Sequence, residues 1–174
     1  VLYSLEKGRR ENGCCNEFFS TALLGTAALA AIAWTGIVFF GEPLLRLFGA
    51  EQTLLPLTKA YLFPIKIVIP VFVFNQMLAA FLRNDNAPGL ATAAVLGGGI
   101  FNVFGDYFFV FAMDMGILGA GLATAAGACI TLLIMLTHFF SKRCTLKFVS
   151  IHYLFIKVKG ILTTGFSTFF VDLA

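Results

Sequence analysis

Residues 88–113 read PGLATAAVLGGGIFNVFGDYFFVFAM, an almost wholly apolar stretch with a single charged residue, Asp106. A helix of about 20 such residues is long enough to cross the hydrocarbon core of a bilayer. A charged side chain at membrane depth costs about 2.5–3.5 kcal/mol on insertion scales, and it usually faces a bundle interior or an aqueous cavity where it serves proton or cation movement. Asp106 therefore indicates a transport site. Asn102 stands one helical turn before it on the same face.

The whole chain has the composition of a membrane protein. Of its 174 residues, 59% are hydrophobic and 12% are charged, against about 25% charged residues in soluble domains. The predicted fold class is an all-α integral membrane protein, a polytopic helix bundle. Its four transmembrane helices are predicted at about 18–40, 57–82, 88–113 and 117–140.

The remaining segments are assigned around these spans. Residues 1–17 are predicted to form a cytoplasmic loop, and 141–160 a cytoplasmic connector with an amphipathic interfacial helix. Residues 161–174 are predicted to be the truncated start of a further transmembrane helix, and we interpret the chain as an excerpt of a longer polypeptide. Residues 41–43, Gly-Glu-Pro, are expected to break the first span, and 44–53 to form a short interfacial helix.

The basic residues predict the orientation of the helices. With four spans, nine of the twelve Lys and Arg residues fall on one side of the membrane. The positive-inside rule makes that side cytoplasmic and places Asp106 in the outer half of the membrane. We expect a multi-pass protein of a cell membrane, specifically a bacterial inner membrane. The nine residues are Lys7, Arg9, Arg10, Arg83, Lys142, Arg143, Lys147, Lys157 and Lys159.

Several motifs, in order along nearly the whole chain, resemble the multidrug and toxic compound extrusion (MATE) family of efflux transporters. They read LEKG at 5–8, EPLLRLFGA at 42–50, FLRND at 81–85, NVFGDYFFVF at 102–111 and MGILGAGLAT at 115–124. The resemblance implies part of one six-helix lobe of a twelve-helix transporter. The chain would supply helices three to six and the start of helix seven, which is most of the N-terminal lobe.

The resemblance also implies a set of site residues. Some prokaryotic members bind a cation with an Asp on helix one, an Asn and an Asp on helix five and a Thr on helix six. Asn102, Asp106 and Thr124 match the last three by motif, whereas the helix-one Asp has no counterpart here. The chain departs from the residues usual in the family at Glu6, Arg9, Cys14–Cys15 and Ser167. These differences concern loop contacts and the start of helix seven. The expected coupling ion is H+ or Na+, with no cofactor and no metal.

Other polar residues are weaker candidates. Lys66, Asn75 and Gln76 are candidates for lining a cavity, although Lys66 can also snorkel and the two amides can also bridge helices. His138 and His152 are expected to be hydrated interfacial residues that form no metal pair. The glycines of the third and fourth spans are expected to pack helices closely.

The predicted function is secondary-active efflux of lipophilic, often cationic compounds, by cation/drug antiport and alternating access. A flippase for lipid-linked sugars and a non-transporting membrane scaffold subunit remain alternatives. No enzyme is expected, because the spans hold no Ser/His, paired-Asp or zinc motif. The expected partners are small lipophilic or cationic substrates, the lipid bilayer and the second lobe. Nucleic acid is not expected, because membrane topology accounts for the basic residues.

Overall fold

The structure, a computed structural model, describes residues 12–49, 51–150, 158–161 and 163, most of which lie in long helices. A π-helical turn, Tyr107–Ala112, extends the third helix, and a 3-10 turn, Thr137–Phe140, extends the fourth. With these extensions, four helices among the described residues are long and apolar enough to cross a membrane. The predicted all-α bundle of membrane-length helices is confirmed. The helices are α1 (Asn12–Leu47), α2 (Leu55–Asn84), α3 (Pro88–Asp106) and α4 (Gly116–Leu136).

The first helix is longer than the sequence predicts. α1 continues through Pro43 and ends at Leu47, so the break expected at 41–43 does not occur. The separate interfacial helix predicted over 44–53 is therefore wrong. A proline inside a helix removes one backbone donor, and membrane helices tolerate this loss because neighbouring groups satisfy the freed carbonyl.

Ion pairs stabilise the turn of α1 that contains Pro43. Glu42 accepts a hydrogen bond from Arg46 Nη2 at 2.9 Å, one turn further along the same helix. Its second carboxylate oxygen accepts a hydrogen bond from Lys59 on α2. All three side chains are about half exposed, so we assign the pairs a local positioning role rather than a large contribution to stability.

Some predicted segments fall partly or wholly outside the described residues. Within the predicted loop 1–17, α1 already begins at Asn12, so the end of that loop is helical. Residues 1–11, His152 and Asp172 lie outside the described part of the chain. The same holds for the predicted further span, 161–174, apart from residues 161 and 163.

The segment after α4 is not helical over residues 141–150, so an interfacial helix is not formed there. It begins with a turn at 141–143 and continues without regular secondary structure. Side chains of other elements supply acceptors for its backbone. The Lys147 N–H donates to Asn16 Oδ1 at 2.9 Å, and the Val149 N–H donates to Ser20 Oγ at 3.1 Å. These bonds replace the intrahelical bonds that a helix would make. The segment thereby packs across the N-terminal end of α1.

Small residues bring α2, α3 and α4 into backbone contact. A methyl group added at Gly98 on α3 would lie 2.6 Å from the carbonyl oxygen of Gly127 on α4. One added at Gly121 would lie 2.5 Å from the carbonyl oxygen of Tyr61 on α2. Membrane helices use such positions because they associate through close van der Waals packing. The expected packing role is confirmed for these glycines, whereas Gly99 faces open space.

We expect Gly98→Ala to destabilise the bundle by about 1–3 kcal/mol, the usual cost of overpacking. The added methyl group would meet both the Thr131 hydroxyl and the Gly127 carbonyl, so α3 and α4 must move apart. The folded fraction during SDS titration in detergent micelles measures the change. Gly99→Ala is the matched control, since nothing lies within 4 Å of the added group. Equal effects of the two substitutions would contradict the packing assignment.

Candidate functional site

A cavity of about 390 Å³ lies between α2, α3 and α4. It exists because glycine and alanine occupy the facing positions on α3 and α4, which leaves space that larger side chains would fill. Its walls combine apolar groups with amide and hydroxyl groups. The lining residues are Phe72, Asn75, Gln76, Ala79, Arg83, Val95, Gly98, Gly99, Asn102, Thr124, Gly127, Ala128, Thr131 and Met135.

Asn102 and Thr124, two of the predicted site residues, are hydrogen-bonded to each other in this cavity. Asn102 Nδ2 donates to Thr124 Oγ1 at 3.2 Å, across the α3–α4 contact. The Thr124 hydroxyl in turn donates to the Ala120 carbonyl at 3.0 Å. The amide oxygen of Asn102 is not used in this bond, so it can serve as a ligand to a cation.

Asn75 and Gln76 line the same cavity from α2. Asn75 is buried, and its Nδ2 donates to the Ala128 carbonyl on α4 at 2.9 Å. Its Oδ1 is buried and has no hydrogen-bond partner among the described residues. An unsatisfied buried acceptor is costly, by about 1–3 kcal/mol. The α2 wall therefore holds a second oxygen that a polar ligand could satisfy.

Asp106 is the last residue of α3 and is half-buried. Its Oδ1 is buried and accepts no hydrogen bond from any described residue. The adjoining Gly105 packs against Ala123, which holds this end of α3 against α4. The π-helical turn Tyr107–Ala112 follows directly, and single π-turns occur frequently at functional sites in helices. Asp106 is not among the described residues that line the cavity.

Lys66 is separated from this group. Its ammonium group packs over Gly41 of α1, where an added methyl group would lie 2.8 Å from Nζ. The structure therefore brings together Asn75, Gln76, Asn102 and Thr124, places Asp106 one turn beyond Asn102, and directs Lys66 towards α1.

We expect Thr124→Val to cost about 0.6–1.5 kcal/mol of stability, the range for interhelical hydrogen bonds in membranes. Valine keeps the shape of the side chain but removes the acceptor of the Asn102 amide. The folded fraction during SDS titration is again the measurement. Thr92→Val is the matched control, because the Thr92 hydroxyl is exposed and donates to the Pro88 carbonyl of its own helix. A control that loses as much stability would contradict an interhelical role for Thr124.

A second polar cluster, which the sequence did not predict, lies at the opposite end of α3. His138 and Asp85 are 3% and 1% exposed, and His138 Nε2 lies 2.8 Å from Asp85 Oδ2. The Thr145 N–H donates to the same oxygen at 2.9 Å, and the Thr145 hydroxyl donates to Asp85 Oδ1. The prediction that His138 is a hydrated interfacial residue is wrong, because the segment after α4 folds over it.

The described residues define a polytopic helical membrane protein. A solved structure described as the inward-facing conformation of a multidrug resistance MATE family transporter of the MOP superfamily aligns with a TM-score of 0.86. The alignment covers 94% of this chain and 38% of that chain at 21% identity, so it shows the fold. The MatE family profile matches residues 7–108. The chain belongs to the MatE family, as the sequence motifs predict.

Curated relatives point the same way. The multidrug export protein MepA of Staphylococcus saprophyticus is 27% identical over 123 residues, which are 71% of this chain and 27% of that protein. MepA of Staphylococcus aureus strain MW2 is 26% identical over 120 residues, which are 69% of this chain and 27% of that protein. The chain thus spans about a quarter of the length of these relatives.

Proposed function

We propose that this chain is part of a secondary-active multidrug efflux transporter of a cell membrane, specifically a bacterial inner membrane. H+ or Na+ moving down its gradient drives the export of lipophilic, often cationic compounds by alternating access. The second lobe is supplied by the rest of the same protein. Family membership and the names of the MepA relatives support the transport of small molecules.

The observation that supports coupling most directly is the state of Asp106. Its carboxylate has a buried oxygen that no described residue satisfies, in a helix of membrane-spanning length. Carboxylates at membrane depth usually serve proton or cation movement, so we assign binding of the coupling ion to Asp106. Asn102 lies one turn away, about 6 Å along the helix axis, and offers a further oxygen ligand.

The cavity provides a matching place for part of the substrate. Its volume of about 390 Å³ falls in the range of about 300–1,000 Å³ that is usual for small-molecule sites. Phe72, Val95 and Met135 supply apolar walls on which a flat lipophilic compound can pack. Asn102 lines this cavity and lies one helical turn from Asp106. Ion binding at Asp106 can therefore alter the cavity wall at Asn102.

The flippase alternative has one observation in its favour. Arg83 lines one end of the cavity and could pair with a phosphate group of a lipid-linked sugar. Lys66, which would have strengthened this alternative, is directed towards α1 and Gly41. A single cation in an otherwise apolar and amide-lined cavity gives the drug-efflux function better support.

The test uses the full-length protein in proteoliposomes loaded with a fluorescent lipophilic cation. We expect dye movement only when a H+ or a Na+ gradient is imposed, with no movement in liposomes without protein. A second set of liposomes carries a fluorescent lipid-linked sugar. Sugar movement without dye movement would establish the flippase alternative, and no movement of either compound under any gradient would favour the scaffold.

A further inference from the structure

The buried cluster at the end of the bundle brings three metal-ligating side chains together from separate parts of the chain. Asp85 follows α2, His138 lies in the 3-10 turn after α4, and Cys144 lies in the segment 141–150. One ligand atom from each residue lies within 4.8 Å of the other two. We infer that Asp85, His138 and Cys144 form a binding site for a divalent transition-metal ion, with Zn²⁺ as the best-fitting ion.

The donor set selects the ion. Thiolate, imidazole and carboxylate together suit Zn²⁺, whereas Mg²⁺ and Ca²⁺ prefer oxygen ligands alone. Zn²⁺ bonds of about 2.0–2.3 Å in tetrahedral geometry separate neighbouring ligand atoms by about 3.3–3.8 Å. The His138–Asp85 pair, now 2.8 Å apart, has to open by only about 0.5 Å to accept the ion.

Burial and charge also suit a metal ion. Asp85 and His138 are buried and Cys144 is half-buried, so bulk water is largely excluded from the ligands. On binding, Cys144 releases its thiol proton to solvent, and His138 coordinates through Nε2 as a neutral imidazole with its proton on Nδ1. Two negative ligands and one neutral imidazole then balance the charge of Zn²⁺.

An entry path adjoins the cluster. A cavity of about 430 Å³ is lined by His138 and by Ser141 and Arg143 of the following turn. It can admit the ion and a water molecule. The water would be the fourth ligand of a tetrahedral site whose other three ligands are Asp85, His138 and Cys144. The Thr145 hydroxyl donates to the other Asp85 oxygen and orients the carboxylate, the role that outer partners take in metal sites.

The site is separate from the proposed coupling site. Asp85 lies three residues before α3, and Asp106 ends that helix, which is about 27 Å long from Pro88 to Asp106. A bound ion would join the turn after α2, the end of α4 and the segment that leads out of this lobe. The occupancy of this site and cation coupling at Asp106 can therefore be tested independently.

The purified full-length protein is first stripped of metal with a chelator. Zn²⁺ or Co²⁺ is then added back, and its binding is measured. We expect one Zn²⁺ per chain by elemental analysis, and a thiolate-to-metal absorption band with Co²⁺. Cys144→Ser is the informative variant, since serine keeps a donor for the Leu146 carbonyl that Cys144 now contacts. Loss of a direct ligand should weaken binding by at least about 100-fold, because changes in outer partners alone cost about 10–100-fold.

Cys129→Ser is the matched control, a half-buried cysteine of α4 outside the cluster. It should bind Zn²⁺ like the parent, and so should Asp106→Asn, whatever the result of the efflux assay. The proposal would be overturned if the parent protein bound no added Zn²⁺, or if Cys144→Ser bound Zn²⁺ as tightly as the parent. His138→Gln supplies a second ligand variant, for which the same loss is expected.

Discussion

Asp106→Asn is expected to abolish gradient-driven efflux by the full-length protein while leaving it folded in the membrane. Asparagine has nearly the same shape as aspartate, but it can neither take up a proton nor supply a negative ligand. A charge-assisted contact is worth about 1.5–3 kcal/mol, so the affinity for the coupling cation should fall by about 10- to 150-fold. The initial rate of dye efflux from proteoliposomes under each imposed gradient measures the effect.

The matched control is Asp114→Asn. Asp114 lies in the exposed turn between α3 and α4 with a φ of 52°, a left-handed conformation that asparagine adopts easily. It carries the same charge as Asp106 but sits outside the helix, so its loss should leave efflux unchanged. Full gradient-dependent efflux in the Asp106 variant, at unchanged expression, would assign that carboxylate a structural role.

Asp85→Ala is expected to cost at least about 1–3 kcal/mol of stability, the cost of leaving a buried polar group without its hydrogen-bond partner. The substitution removes the acceptor that holds His138 at 2.8 Å and the Thr145 N–H at 2.9 Å. The buried His138 ring would be left without its partner. The segment 141–150 would then lose its contact with the turn after α2, in addition to any metal site.

Two readouts measure this loss. The folded fraction during SDS titration reports overall stability, and trypsin cleavage at Lys142, Arg143 and Lys147 reports release of the segment. Asp114→Ala is the control for loss of an exposed carboxylate. Unchanged stability and unchanged cleavage in the Asp85 variant would mean that the buried network does not hold the segment in place.

Most of the helical architecture could be predicted from the sequence because a membrane helix is specified locally. Of the predicted span 88–113, residues 88–112 form a helix of spanning length in the structure, divided between α3 and the π-helical turn. The break that was wrongly predicted at 41–43 also rested on local sequence alone. Gly-Glu-Pro is a strong local signal for a break. Glu42, however, also gains a partner on α2, Lys59, which lies 17 positions further along the chain.

The candidate site was predictable only where its residues share one helix or one family motif. Asn102 and Asp106 are four positions apart on α3, and Thr124 was assigned by resemblance and is bonded to Asn102. Asp85 and His138 are 53 positions apart and belong to no periodic pattern, so their pairing depends on how the helices pack. A buried histidine and a hydrated one at the end of a helix look alike in the sequence.

The contact between Gly98 and Gly127 has a mechanical consequence. Two helices that touch through their backbones have no layer of side chains between them to repack during a sliding motion. In the proposed transport cycle α3 and α4 should therefore move as one rigid body, and Asn102 and Thr124 should keep their separation. Bending is then left to the helices that carry internal prolines, which are α1 at Pro43 and α2 at Pro64 and Pro70.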